Sequence, residues 1–296
     1  MKLTVAQIQK YEECGWLFIP AFLSQQEIAI IQAEISALTF SDTPGSLLEE
    51  DGSTIRALHG CHTNSTILRY LTMHPKLLEP SKQLLNSEVY VHQFKVNLKS
   101  AFSGDRWQWH QDFVFWHKED GMPAPRAINV VLFLNEVSEF NGPVCLIPCS
   151  HQYGILSDEV PQKLNSDDVP SDWSVNFSAN LRFTVSNSIV TRLVSKQGIV
   201  APKGPIGSLL FFHSNLVHGS APNISPYERN LIITTYNSVE NIPQPLTSAR
   251  RRPEFLVSRD YTPLKPIADD TLFKVSLQSN SISMDQLRTP MISEEE

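Results

Sequence analysis

No apolar run in this 296-residue chain approaches the roughly 20 residues that span a bilayer, so no membrane segment is expected. The opening residues, Met1-Lys2-Leu3-Thr4-Val5-Ala6-Gln7, lack the apolar core of a secretory signal. Cysteine is sparse. Cys14, Cys61, Cys145 and Cys149 have no secretory context, so they are expected to be reduced core thiols of a cytoplasmic protein. Cys145 and Cys149 share strand parity, but Pro148 separates them and no other Cys pair completes a zinc site. Basic clusters are nearly absent: the one Lys/Arg run is Arg250-Arg251-Arg252, in a chain of net charge -7, which argues against a nucleic-acid partner. With 41% hydrophobic and 19% charged residues, the composition is that of a folded globular protein.

Against these absences stands one dense stretch, Trp107-Gln108-Trp109-His110-Gln111-Asp112-Phe113-Val114-Phe115-Trp116. Read as a strand, it puts His110 and Asp112 on the same side. Two His and one carboxylate suit Fe(II) and leave positions open for oxygen chemistry. The triplet alone is weak evidence, because His117-Lys118-Glu119 repeats its pattern seven residues later. A second His is needed from elsewhere. The segment Gly207 to Ser220 supplies it: a strand over Gly207–Phe212, a turn at Ser214-Asn215, and a second strand that starts near His218. Eleven residues beyond His218, Arg229 heads the apolar run Leu231-Ile232-Ile233-Thr234-Thr235-Tyr236. An Arg opening a buried strand needs an anionic partner, since unpaired burial is expensive. The four residues together suggest an iron that holds a dicarboxylate co-substrate.

The pattern of His110, Asp112, His218 and Arg229 resembles the Fe(II)/2-oxoglutarate-dependent dioxygenases of the phytanoyl-CoA dioxygenase superfamily, from about Thr4 to about Asp260. Trp109-His110-Gln111-Asp112-Phe113 through Trp116-His117, Glu119-Asp120-Gly121-Met122-Pro123, Phe140-Asn141-Gly142-Pro143 and Ser150-His151 look much like ectoine hydroxylase. Asp120 to Ala127 and His218 to Pro226 are closer still to the free amino-acid hydroxylases that oxidise leucine at C5 on the way to 4-methylproline. The resemblance implies that His110, Asp112 and His218 ligate Fe(II). It further implies that Arg229, aided by Ser220, pairs with the distal carboxylate of 2-oxoglutarate, and that O2 is the second co-substrate. Gln93 and Asn97 are carried into the co-substrate and substrate pocket. Trp116 would wall an aliphatic side chain and Arg252 would reach the substrate carboxylate. The partner is then a small amino acid, and the protein a monomer or homodimer. The expected reaction is hydroxylation of L-leucine at C5. Alternatives are ectoine or another small amino acid as substrate, a zinc hydrolase, and a jelly-roll binding protein without catalysis. The hydrolase gives no reason for Arg229.

The rest of the chain reads as an all-β core, a double-stranded β-helix or jelly roll of the cupin type, with flanking α-helices. Residues 1–265 would form one domain, 1–40 its helical support and 266–296 a polar, frayed tail. Thr4 can cap a helix over 4–14 that ends at Gly15, with Val5, Ile8 and Tyr11 at helical spacing. Trp16–Ile19 is a short strand, and Ser24-Gln25-Gln26-Glu27 is a capping box for a helix with Ile28, Ile31 and Ile35 inward. Residues 41–64, with Arg56, His59 and His62, read as a solvated loop. Helical periodicity returns over Leu68–Leu85, interrupted at His74-Pro75. Val89–Leu98 alternates, with Gln93, Lys95 and Asn97 on one face. Polar residues pointing inward are tolerated where a barrel holds a ligand; the competing reading is an edge strand. Ala127–Leu134 is apolar apart from Asn129, and Asn141-Gly142 is expected to make a hairpin to Val144–Ile147. The acidic stretch 155–195 reads as a lid-like insertion.

Overall fold

The computed structural model describes residues 2–41, 43–159, 181–244, 246 and 251–278. The chain enters through helix α1 (Val5–Cys14) and strand β1 (Trp16–Ile19), followed by helix α2 (Gln25–Thr39). Both helices start at reciprocal capping boxes, Thr4 with Gln7 and Ser24 with Glu27, and α1 stops at Gly15 in the left-handed conformation (φ 81°). Ile28, Ile31 and Ile35 are buried as their spacing requires, whereas Val5 is exposed. Strands β2 (Ser46–Leu48) and β3 (Ile55–His59) come next, then helices α3 (Thr66–Thr72) and α4 (Pro75–Leu85). His74 caps α4 and Pro75 opens it, which is why the helical pattern breaks there.

Strand β4 (Val89–Lys99) begins the sandwich, followed by β5 (Trp107–His110), the one-turn helix α5 (Asp112–Phe115) and β6 (Ala127–Phe133). Then come β7 (Val144–Leu146), β8 (Asp158–Glu159), β9 (Phe183–Thr184) and helix α6 (Asn187–Gln197). Strands β10 (Leu209–His213), β11 (His218–Ser220) and β12 (Arg229–Ser238) finish the core. Seven strands form a sheet in the order β1-β10-β6-β12-β4-β3-β2, and β5-β11-β7 form a second, smaller sheet, all pairings being antiparallel. This is the expected jelly-roll core with flanking helices.

Strand alternation decides what each face of the large sheet does. Val96, Val130, Leu132, Phe211 and Ile232 face outward with Ile28, Ile31, Leu68, Leu77 and Leu78 of the helices, in the main core. Their neighbours Val131, Phe133, Leu210, Phe212, Leu231 and Ile233 face inward, in a second core with Leu146 of the small sheet and with Leu216. At one end of this inner face the apolar residues give way to Gln93, Lys95, Asn97 and Arg229, and there a cavity opens.

Several expectations are corrected. Residues 41–64 are not a solvated loop: β2 and β3 add the edge of the large sheet, and Arg56 and His59 are each 3% exposed. Asn141-Gly142 does not close a hairpin, because β7 pairs with β11 in the other sheet and the turn carries the chain between sheets. The dipeptide signals a turn; it cannot say which sheet receives the next strand. Part of the 155–195 insertion is the amphipathic helix α6, whose Leu193 packs with Ile147 and Val217, while residues 160–180 of that stretch lie outside the described residues. The tail expected to fray from 266 is ordered as far as 278, and its residues 279–296 lie outside the described residues. The Leu264 N–H bonds to Val89 O at 2.9 Å, and 271–278 is helical with Leu272 fully buried in the main core. Of the four free cysteines only Cys61 is buried. No helix among the described residues is long and apolar enough to cross a membrane.

Candidate active site

The stretch from Trp107 is a strand only as far as His110. There the chain turns into α5, continued by a π-helical turn at Trp116–Asp120, so Asp112 opens a helix where strand alternation had been expected. His110 and Asp112 nonetheless converge. His218 is the direct cross-strand partner of His110 in the β5–β11 ladder. The ligand atoms of His110, Asp112 and His218 lie within 4.8 Å of one another, and among the described residues they are the one such cluster of three or more. Nε2 of His110 stands 3.7 Å from Asp112 Oδ1, and Nε2 of His218 stands 3.6 Å from Oδ2.

Both rings are oriented from behind. Nδ1 of His110 lies 2.6 Å from Gln108 O and Nδ1 of His218 lies 2.9 Å from Leu216 O. A carbonyl can only accept, so Nδ1 is the donor in each and Nε2 is the atom turned to the common centre. Asn129, the lone polar residue of β6, donates to Asp112 Oδ2 at 2.7 Å, and its own amide is oriented by the Thr235 hydroxyl at 2.7 Å. Burial opposes the charge on Asp112, but Lys95 and the two imidazoles outweigh it and hold the carboxyl well below the usual carboxylate range. Burial, then His110, lowers His218 to about 3. Two imidazoles and one carboxylate, buried but open to a cavity, are a donor set suited to a divalent iron.

The repeated triplet is elsewhere engaged. His117 Nδ1 bonds to Met122 O at 2.8 Å, and Glu119 pairs with Arg252 and Arg182, each at 3.3 Å.

The same cavity is also lined by Arg229, Ser220, Gln93 and Asn97. Arg229 is 1% exposed, and its Nε donates to Gly142 O at 3.1 Å. Beside it lies Lys99, which sequence reading left out, although it continues the polar face of β4 by one more alternate position. Lys99 Nζ donates to Ser220 Oγ at 2.8 Å and to Ala221 O at 2.6 Å. Its stem passes over Gly142 (φ 71°), where a Cβ would come within 2.9 Å of it, so a side chain at 142 would displace the lysine. Burial, then Arg229 and Arg56, lowers Lys99 to about 6. Burial, then Arg56, lowers Arg229 to about 9. Among the described residues no carboxylate pairs with either cation, and the buried Asn97 Oδ1 also lacks a partner. A buried guanidinium without a carboxylate partner, beside a lysine whose proton burial disfavours, is an environment that an anion would stabilise.

β4 lies between β12 and β3, which excludes the edge-strand reading of its polar face. Gln93 is tied to Leu256 O at 3.0 Å. Trp116 is 2% exposed and forms part of the cavity wall with Phe115 and Leu181. Arg252 also lines the cavity, but its guanidinium is already engaged. It donates to both oxygens of Asp120 and stands 3.3 Å from Glu119. Burial would lower its pKa, yet Asp120 and Glu119 outweigh this and hold it above the ordinary value. Lys95, 3.8 Å from Asp112, is a further cation at this wall.

Residues 11–231 match the family model described as Phytanoyl-CoA dioxygenase (PhyH). The chain is 41% identical over 265 residues to L-proline trans-4-hydroxylase of Streptomyces griseoviridis, covering 89% of this chain and 96% of the relative. It is 34% identical over 263 residues to ectoine dioxygenase of Bordetella bronchiseptica, covering 87% and 83%. The crystal structure of EctD from S. alaskensis with 2-oxoglutarate and 5-hydroxyectoine superimposes with a TM-score of 0.73 at 29% identity, covering 90% of this chain and 86% of that one. With a donor set suited to iron in a cavity that Arg229 and Ser220 also line, the chain belongs to the phytanoyl-CoA dioxygenase family of Fe(II)- and 2-oxoglutarate-dependent dioxygenases.

Proposed function

We propose that the chain hydroxylates an unactivated C–H bond of a free aliphatic amino acid, with C5 of L-leucine as the target. The observation that carries this reading is one cavity lined both by the His110, Asp112 and His218 cluster and by Arg229 and Ser220, with Lys99 donating to Ser220 from behind the wall. His110, Asp112 and His218 would hold Fe(II) on one face. Arg229 and Lys99, with the Ser220 hydroxyl between them, would hold the distal carboxylate of 2-oxoglutarate, and the planar fork of Arg229 suits a bidentate contact. Bound iron supplies the oxygen chemistry, in which substrate, 2-oxoglutarate and O2 become hydroxylated product, succinate and carbon dioxide.

The protein's part is to aim one C–H and to exclude others. Trp116, Phe115 and Leu181 offer an apolar wall for a branched side chain. Lys95 and Arg252 are the cations available to an α-carboxylate; Lys95 is the less encumbered, since Arg252 already holds two carboxylates. Leucine is favoured by the segments Asp120 to Ala127 and His218 to Pro226. A second reading, proline, is favoured by the 41% identity to the Streptomyces griseoviridis enzyme.

The test is anaerobic loading with Fe(II) and 2-oxoglutarate, followed by air and a panel of leucine, proline, other standard amino acids and ectoine. Succinate formation stimulated most by leucine, with a product heavier by one oxygen, is the expected result. Stimulation by proline or ectoine alone would replace the substrate and keep the iron chemistry. Failure of the loaded protein to develop the visible band of an iron-chelated keto acid would remove both.

A further inference from the structure

Gln111 separates the two motif residues His110 and Asp112, and nothing in the proposed chemistry uses it. It does not line the cavity and is completely buried. Its amide is saturated. Oε1 accepts from the backbone N–H groups of Leu156 at 2.6 Å and Ser157 at 3.1 Å, and from the Ser157 hydroxyl at 3.4 Å. Nε2 donates toward Asn215 O at 2.8 Å, Gly154 O at 2.9 Å and Asn215 Oδ1 at 3.0 Å. Asn215 extends the same knot, its Nδ2 donating to Gly154 O at 2.7 Å and toward His151 O at 3.3 Å.

Three segments therefore meet on one amide. One carries His110 and Asp112, one leads within three residues to His218, and the third is the 154–157 strand entry. The sheet cannot do this work. The β5–β11 ladder reaches only to the His110–His218 rung, and beyond it the chain turns into α5. The place of Asp112 relative to His218 is left to contacts outside the ladder: the Asn129 amide on the carboxylate itself at 2.7 Å and, on the main chain, the Phe113 N–H to Ser214 O at 2.9 Å and the Gln111–Asn215 knot.

We propose that Gln111 is a positioning residue for the metal site, fixing through Asn215 the separation between the His110–Asp112 turn and the His218 strand. This rests on the assignment of those three residues as iron ligands. Only an amide fits the position, because donors face Oε1 and carbonyl oxygens face Nε2. A glutamate keeps the shape and the acceptor side but sets an oxygen against the carbonyls of Gly154 and Asn215.

The experiment compares the full-length wild type with Gln111→Glu in two measurements. The first is anaerobic Fe(II) titration at saturating 2-oxoglutarate, read by the keto-acid band, with succinate and hydroxylated product then counted in air. The second is hydrogen exchange of the metal-free proteins over 108–118 and 212–220. Gln111→Glu is expected to weaken Fe(II) binding roughly 10- to 100-fold. It should also form succinate in excess of product, and exchange faster in both ligand-bearing segments. Wild-type Fe(II) affinity and coupling in the variant would overturn the proposal, even with faster exchange near 154–157. Should Gln111→Glu not fold, Asn215→Ser is read by the same criteria; it removes the side-chain half of the knot and keeps the backbone carbonyl. A wild type without the band would overturn the iron reading itself. The exchange data would then decide the knot: unchanged exchange over 212–220 in the variant would overturn it.

Discussion

The two faces of the large sheet are built from the same strands and behave as different materials. On β4, β6 and β12, one set of alternate residues (Val96, Val130, Leu132, Ile232) packs under the helices as a mainly apolar face, its few polar groups being hydroxyls such as that of Tyr236, which bonds to Thr72 O. The other set (Gln93, Lys95, Asn97, Asn129, Arg229) carries amides and cations into the interior. A one-residue period thus separates stability from chemistry. The teaching is that polarity on a buried strand face has to be justified by something it binds, since burial of unpaired cations and amides is unfavourable in its own right.

Four measurements would break or sharpen that division. Asp112→Ala should abolish iron binding and turnover together; survival of both would reject the assignment and return attention to His117 and Glu119. Leu132→Ala, on the helix-facing side, should cost about 2–5 kcal/mol of stability through a lost core side chain. It should leave the KM for 2-oxoglutarate unchanged below its lowered melting temperature, and a raised KM would mean that the two faces are not independent. Arg229→Ala should cost binding of 2-oxoglutarate about 1.5–3 kcal/mol, roughly 10- to 100-fold in KM, with a much smaller effect on the amino acid. Equal effects on both substrates would put Arg229 in another role.

The smallest effect is a pH dependence. Lys99 falls to about 6 through burial and the neighbouring Arg229 and Arg56, whereas an unfolded lysine titrates near 10.4, so the unfolded chain binds the extra proton between these values. The ligand-free protein therefore gains stability as pH rises through that window. Binding of a dicarboxylate draws the proton back, so the KM for 2-oxoglutarate should rise a few-fold from pH 7 to 8, within the tenfold limit of one coupled proton. Lys99→Met should flatten this slope, and an equally steep slope in the variant would assign the proton elsewhere.

Much of this was legible in the residues. Reciprocal capping at Thr4 and Ser24 is a local arrangement, and so is the alternation of β4; both depend on neighbours within a few positions. The spacing of His110, Asp112, His218 and Arg229 was readable because each residue type is costly to bury without a purpose. What escaped depends on distant partners. β2 and β3 are short, and only the pairing of β3 with β4 and of β2 with β3 makes them strands. The turn at Asn141-Gly142 cannot specify the sheet in which β7 finds its partner. Gln111 drew no reading of its own because its partners, Gly154, Leu156, Ser157 and Asn215, lie more than 40 residues away. Lys99 continued a face already recognised as polar, and one more step of the same alternation would have found it.

The His110–His218 rung has a consequence for how such a protein can change over generations. Two imidazoles that face each other across one antiparallel rung are brought together by main-chain hydrogen bonds, which every residue except proline can make. The spacing is therefore inherited with the backbone, whatever side chains occupy the rung. A descendant could exchange its imidazoles, drift as a carrier of small molecules, and recover the metal by a pair of substitutions, with no strand having to move.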